Sequence, residues 1–254
     1  MSATVTSLHR HPVKGFTPEP LDAADLAAGE GFPGDRLYAV ETGPSGFDAA
    51  QPAFIAKTKF AVLAHIAEVA RARTAWDEAT GVFHASAAGM PDIDAPLREA
   101  AGRQAFAAWL TDLLGDEARG PLKVLEAPRS WRFMDHPQGH VSIINLASVR
   151  DLEARIGRPV DPLRFRANLY VEGWAPWVEN DWTGRRLAVG AAEATVFKPI
   201  VRCAATHVDP ATAERDMDVV KALFDNYGHM FCGIYVQTQQ AGRVALGDRV
   251  ELNG

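Results

Sequence analysis

Apolar residues recur at helical spacing in three segments, and these segments predict the helices of the chain. The three segments are 99–115, 145–157 and 215–228. Asn145 or Ser148 can cap the start of the second helix, because either side-chain oxygen can accept a hydrogen bond from a free backbone N–H group. The apolar stripe of the first consists of Phe106, Leu110, Leu113 and Leu114, and that of the third consists of Val220, Leu223, Phe224 and Tyr227.

Elsewhere, apolar runs of strand length are separated by Gly and Pro, with a loop predicted at 85–98. The predicted strands are 4–15, 36–43, 53–70, 165–173, 185–190, 192–203, 232–240 and 243–252. Long strands with few helices argue against a doubly wound sheet, so the sequence predicts an α+β, β-rich fold built on barrels. No polar linker marks a boundary, and two tightly packed domains, 1–100 and 101–254, are expected.

The charge balance narrows the classes of ligand. The net charge of −6 argues against a broad nucleic-acid footprint, and an anionic ligand would need a local cluster of Lys and Arg. No apolar run reaches the length of a membrane span, and the N-terminus lacks the apolar stretch of a signal peptide. We therefore expect a cytoplasmic protein that binds neither nucleic acid nor membrane.

A candidate anion site lies in residues 164–173. Arg164, Arg166 and Asn168 alternate there with apolar residues, so a strand would place them on one face and Phe165 on the other. Two guanidinium groups on one face suit an anion, and Asn is a poor strand residue. The alternative is a half-buried strand with a solvated polar face.

Two further cations lie beside turn residues. Lys14 stands between Val13 and Gly15, and a glycine lets a backbone come close to a ligand. Arg36 follows an Asp at the start of a predicted strand. Taken alone, Lys14 is better explained as an exposed lysine of a turn, and the alternative for Arg36 is a surface arginine.

Cys203 is one of only two cysteines in the chain, and Arg202 precedes it. A neighbouring cation favours the thiolate form of a cysteine, which is the form that binds metals and attacks electrophiles. In a regular strand the two side chains would face opposite ways, so both can serve one site only if the strand bends or ends there. The alternative is a small buried side chain, which is the interpretation we prefer for Cys232.

Several common site motifs are absent from the sequence. It contains no C-x-x-C pair, no H-E-x-x-H, no G-x-S-x-G and no P-loop. If electrons pass through this protein, at least one carrier is expected to lie outside the chain.

Nearly the whole chain resembles MOSC-domain proteins that carry the N-terminal MOSC β-barrel domain. The resemblance lies in HPVKGF…GDRLYAV near the start, then R-F-R-x-N, R-C-x-x-T-x-V-D-P and a closing G-D. It implies a barrel-rich fold that binds molybdenum cofactor, with the thiolate of Cys203 on the metal. It also implies that Lys14, Arg36 and Arg166 surround the pterin phosphate and ring, that Asn168 belongs to the same site, and that Arg164 and Arg202 support the charge.

The resemblance implies three hypotheses for function. The first is a molybdenum-cofactor oxidoreductase similar to the amidoxime-reducing component. It would reduce small N-hydroxylated or N-oxide compounds with electrons from a separate ferredoxin- or cytochrome-type reductase. The second is a sulfur or cofactor carrier that uses Cys203, and the third is a protein that keeps the fold without the metal. Gly15 and Asn145 depart from the residues usual in relatives, which bears on the substrate more than on the metal.

Overall fold

The computed structural model describes residues 1–129, 131–137 and 141–253. Within these ranges the helices are α1 (Ala100–Leu114), α2 (Leu146–Ile156) and α3 (Val219–Tyr227). The strands are β1 (Ser2–Arg10), β2 (Glu19–Leu21), β3 (Ala23–Leu26), β4 (Tyr38–Thr42), β5 (Arg73–Asp77), β6 (Val82–Ser86), β7 (Ile93–Pro96), β8 (Leu122–Glu126), β9 (Val141–Asn145), β10 (Leu169–Glu172), β11 (Arg186–Val189), β12 (Ala192–Val201), β13 (Phe231–Gln240), β14 (Gly242–Ala245) and β15 (Arg249–Leu252). None of these helices is long and apolar enough to cross a membrane.

Seven strands form a closed barrel in the order β10-β9-β13-β12-β11-β15-β1, and pairing of β1 with β10 closes it. The β9–β10 pair is parallel and the other neighbours are antiparallel. The predicted β-rich α+β fold is therefore confirmed. Because β1 comes from the start of the chain, the first and last segments share one sheet; the division at residue 100 stays a prediction.

The barrel interior is apolar because alternate residues of each strand face inward. On β13, Ile234 and Val236 are buried in this core, as are Val141 and Ile143 on β9. The residues between them therefore face outward. This outer surface of β9 and β13 forms part of the site described below.

A second unit packs beside the barrel around its own apolar core. It contains the β5–β6–β7 sheet, the β4–β8 pair and α1. The predicted stripe of α1 is confirmed, because its four residues are all buried in this core. The predicted strand at 53–70 is wrong: this segment contains short 3₁₀ turns at Lys57–Lys59 and Ala67–Arg71. The predicted loop at 85–98 is also wrong in part, since it includes β7.

The other two helices start at side-chain caps. Asn145 caps α2, as predicted, by accepting a hydrogen bond of 3.1 Å from the N–H of Ala147. Asp218 caps α3, whose buried residues are Val219 and Leu223. The predicted stripe of α3 is therefore wrong in part: Phe224 is 59% exposed, because the buried face lies one residue earlier.

Candidate functional site

A basic cavity of about 210 Å³ opens on the outer face of the barrel, where the second unit packs against it. Six of its lining residues are cations, whereas Asp135 is its one lining carboxylate among the described residues. The cations are Arg36, Lys57, Arg164, Arg166, Lys198 and Arg202. A chain with a net charge of −6 thus concentrates positive charge at one place, which favours an anionic ligand.

Cys203 lies on the edge of this cavity at the end of a strand. β12 stops at Val201, and Cys203 has extended backbone angles before the 3₁₀ turn Ala204–His207. Its carbonyl accepts hydrogen bonds from the backbone N–H of Thr206, at 3.0 Å, and from the Thr206 hydroxyl, at 2.9 Å. The backbone of Cys203 is therefore fixed, and its partly exposed side chain lines the cavity.

The cation that contacts the thiol is Lys57, which comes from the second unit. Burial pulls the pKa of Lys57 down, but a hydrogen bond with Cys203 and the charge of that sulfur raise it overall. Arg202 instead donates to backbone carbonyls, with Nε and Nη2 at 2.8 and 2.5 Å from the Cys232 oxygen and Nη1 at 2.7 Å from the Phe165 oxygen. Both residues border the cavity, but the sequence neighbour of Cys203 mainly anchors two backbone segments.

The predicted strand face at 164–168 is wrong. Pro162–Phe165 is a 3₁₀ turn capped by Asp161, and Arg166 has a φ of 52° in the left-handed region. The strand β10 begins only at Leu169. The turn nevertheless brings Arg164 and Arg166 to the same cavity. It also turns Phe165 inward, where it is 2% exposed and packs in the core below α2 and α3.

The two arginines of this turn differ in their partners. Arg164 is buried and forms ion pairs of 2.8 Å with Asp209 and with Asp216. Arg166 donates a 2.6 Å hydrogen bond to the carbonyl of Phe16, and no carboxylate lies within 4 Å of it among the described residues. Burial and the charge of Arg36 lower the pKa of Arg166 to about 10. An anion placed here would relieve this repulsion between cations.

Buried groups orient Arg36 from behind. Its guanidinium donates to Asp35 and, at 3.3 Å, to the carbonyl of Arg166. Asp35 also accepts the backbone N–H of His11 at 2.6 Å and lies 3.2 Å from its Nδ1. Although burial opposes ionisation, the charge of Arg36 and the contact with His11 lower the pKa of Asp35 to about 2.

Lys14 does not line the cavity. Its Nζ donates at 2.9 Å to the carbonyl of Phe133 and at 2.5 Å to Oδ1 of Asp135, which does line it. Burial raises the pKa of Asp135, but the charges of Lys14 and Arg36 outweigh it and hold this pKa well below its usual range. The carboxylate borders the open cavity, with a side chain 46% exposed, so solvent reaches it within this dense group of charges.

Gly15 serves the protein's own packing. Its φ is +94°, and a Cβ there would lie 2.9 Å from the carbonyl oxygen of Ala61. A side chain at this position would therefore collide with backbone of the same unit. The close approach expected for a ligand is made instead by the segment that contains Ala61.

Comparison with known proteins identifies the family of this chain. The MOSC N-terminal beta barrel domain matches residues 2–119, and the MOSC domain matches residues 131–251. The chain belongs to the MOSC-domain proteins. The family resemblance seen in the sequence is thus confirmed.

Individual relatives match parts of this chain. A molybdenum cofactor sulfurase of Caenorhabditis elegans is 34% identical over 51% of this chain and 18% of its own length. The mitochondrial amidoxime-reducing component 1 of Mus musculus is 29% identical over 44% of this chain and 36% of its own. The chain therefore spans well under half the length of these relatives. The YUAD protein of Bacillus subtilis superposes with a TM-score of 0.44 at 14% identity, covering 99% of this chain and 96% of its own.

Asn168 lies inside the wall of the MOSC barrel and does not line the cavity. It is fully buried, and its Oδ1 accepts from the N–H and the hydroxyl of Ser142 at 3.1 and 2.9 Å. Its Nδ2 donates to the carbonyl of His9 at 3.2 Å. Asn168 therefore ties β9 to β1 and fixes Ser142, which does line the cavity; a direct contact with cofactor stays a prediction.

Sequence reasoning missed several residues of the MOSC cavity. Lys57 lies in a segment predicted as a strand, and Asp135 follows a short loop, so no local pattern connects either residue with Cys203. Lys198 and Tyr235 lie on paired strands whose register shifts at three places. A signal for these shifts was present, since Pro199 interrupts a strand and Gly233 interrupts its partner.

Proposed function

We propose that the basic cavity binds a molybdenum cofactor and that Cys203 supplies a thiolate ligand to the metal. One observation carries this proposal: a partly exposed thiol lies at the edge of a cavity to which the described residues contribute six cations and one carboxylate. Molybdenum held by sulfur ligands accepts a further soft thiolate well, and the phosphate of the cofactor needs cations.

The residues present fit such a group. Within the described ranges, no cluster of three or more His, Cys, Asp or Glu side chains could hold a bare metal ion. One thiol beside cations suits a metal that is already bound to an anionic organic ligand. Arg166 lacks a carboxylate partner, and Nε of Arg164 is buried without a hydrogen-bond partner among the described residues. Both features favour an added anion.

The residues at and behind the cavity would have distinct roles. The bound cofactor would supply the redox chemistry. Arg36, oriented by Asp35, and Arg166 would bind the anionic part of the cofactor, while Thr206 fixes the backbone that presents Cys203. Lys57 would place positive charge beside the sulfur. Lys14 and Asn168 would support the site from behind the cavity wall.

For the reaction, we propose reduction of small N-hydroxylated or N-oxide compounds in the cytoplasm. The similarity to a mitochondrial amidoxime-reducing component supports this choice. The two cysteines and the lack of a C-x-x-C pair support a separate electron-donor protein of the ferredoxin- or cytochrome-type reductase class.

A second candidate is a sulfur or cofactor carrier. The similarity to molybdenum cofactor sulfurases favours it, and so does the contact between Lys57 and a partly exposed Cys203. A thiolate next to a cation can act as a nucleophile that accepts persulfide sulfur as readily as it can act as a metal ligand.

A dye-driven assay separates the two candidates. Metal-loaded protein would be supplied with reduced viologen and benzamidoxime, and benzamidine formation would be measured. The reductase must turn over only when the dye is present. A protein that stays inert toward N-hydroxylated compounds, N-oxides and sulfoxides, yet transfers sulfur or cofactor to an apo-enzyme, would refute the reductase and support the carrier.

A further inference from the structure

Three polar residues form one row across the floor of the cavity. Tyr235 on β13 pairs with Ser142 on β9 and with Lys198 on β12, and all three line the cavity. Directly paired residues of neighbouring strands point to the same side of the sheet. Since Val141, Ile143, Ile234 and Val236 fill the barrel interior, this row lies on the outer face.

A bulge in β12 places Lys198 in this row. Val196 pairs with Val236 and points into the barrel, whereas Lys198 pairs with Tyr235, so Phe197 is an extra residue. Without that extra residue, strict alternation would direct residue 198 into the apolar core together with Val196. The bulge therefore turns a lysine toward the cavity.

Two members of the row have polar ends that no described residue pairs. The Ser142 hydroxyl is occupied, since it donates to Asn168 Oδ1 at 2.9 Å and accepts from the Asn168 N–H at 3.0 Å. Among the described residues, the Tyr235 hydroxyl has no hydrogen-bond partner and Lys198 has no carboxylate within 4 Å. Burial, followed by the charge of Asp135, raises the pKa of Tyr235 to about 12, so its O–H remains a donor at neutral pH.

We propose that the Tyr235 hydroxyl and the Lys198 ammonium bind the oxygen atom of the substrate's N–O group. This inference rests on the proposed function and names the part of the cavity that would recognise the substrate. In the overall reaction, an N–OH compound takes up two electrons from the separate electron-donor protein and two protons from solvent. The N–O bond breaks, and the oxygen leaves as water. Two hydrogen-bond donors suit that oxygen before and during its departure.

The donor pair also predicts discrimination against the product. An amidoxime presents a neutral N–OH group, whereas the amidine that remains lacks the oxygen and carries a positive charge. Lys198 would repel that charge, and neither donor would find an acceptor. The pair should therefore bind the N-hydroxylated compound more tightly than its N–H counterpart.

Equilibrium binding to oxidised, metal-loaded protein tests the pair without turnover. Benzamidoxime and benzamidine would be titrated by calorimetry into wild type, Tyr235→Phe and Lys198→Met. We expect wild type to prefer benzamidoxime, and each variant to lose about tenfold of that preference, as the loss of one hydrogen bond predicts. Tyr227→Phe is the matched control, because its hydroxyl contacts Asp151 outside the cavity lining; it should retain the preference.

The outcomes separate this inference from the proposed function. Unchanged preference in both Tyr235→Phe and Lys198→Met, with metal and pterin content equal to wild type, would overturn the donor pair even if the protein reduces benzamidoxime. A preference that depends on Tyr235, in a protein that shows no turnover with reduced dye, would support the pair and refute the reductase. If either variant lost the cofactor, that residue would hold cofactor instead, and its assignment to substrate would be wrong.

Discussion

The two sides of the cavity contribute different groups and hold them by different means. The barrel side supplies the thiol. Its arginines are held by backbone carbonyls and by partly exposed carboxylates such as that of Asp209. The second unit supplies Arg36 and Lys57, and Arg36 depends on the buried carboxylate of Asp35. The barrel side carries four cations beside the thiol, and contact with the second unit adds Arg36 and Lys57. The site is therefore a property of the contact between the units, and its most sensitive members should be the buried charges.

A large loss of stability is expected when Asp35 is changed. In Asp35→Asn, Arg36 would remain buried without its counter-ion, so the free energy of unfolding should fall by about 3–5 kcal/mol. Urea denaturation measures this change. Asp94→Asn is the matched control: Asp94 also pairs with a histidine, but its side chain is 72% exposed, so the loss should stay within about 0.5 kcal/mol. Similar losses in both variants would show that burial does not separate the two pairs.

The turn at 162–166 offers a test within two adjacent residues. Phe165→Ala should lower the free energy of unfolding by about 3–5 kcal/mol, because the ring is 2% exposed in a packed core. Arg166→Ala should instead weaken cofactor retention about tenfold to hundredfold, as expected for the loss of a charge-assisted hydrogen bond of about 1.5–3 kcal/mol. Denaturation and pterin fluorescence after cofactor release measure the two effects. Swapped phenotypes would contradict the assigned orientation of this turn.

Acid should lower the stability of the protein through His11, which contacts Asp35 behind Arg36. Burial, together with the charge of Arg166, lowers the pKa of His11 from 6.5 to about 3, in spite of its contact with Asp35. His11 of the unfolded chain therefore binds a proton below pH 6.5, whereas His11 of the folded protein stays neutral until the pH approaches 3. The resulting stability is present above pH 6.5 and is lost as the pH falls toward 3. Between pH 7 and pH 5 this one group should cost about 2 kcal/mol.

Urea midpoints of wild type and His11→Gln at pH 7 and pH 5 check this expectation. The variant is expected to be less stable at pH 7 but to lose less stability on acidification. An equal loss in both proteins would assign the acid sensitivity to other groups.

The sequence predicted the regular parts of the fold better than the site. Helical spacing located α1, and Asn145 capped α2 as expected, because these signals are local. The alternation at 164–168 suggested a strand, but Pro162 and the Asp161 cap determine a turn there. Lys57 and Asp135 could not be linked to Cys203 from sequence, since only the packing of one unit on the other brings them together.

The composition of purified protein tests the central claim most directly. Protein made in a cofactor-competent host should contain molybdenum and pterin in near-equal amounts. Cys203→Ala should lose catalysis while its urea midpoint changes little. Cys232→Ala, which removes the buried cysteine, should retain both metal and catalysis. A cofactor-replete Cys203→Ala protein with full activity would contradict the assignment of Cys203 as the metal ligand.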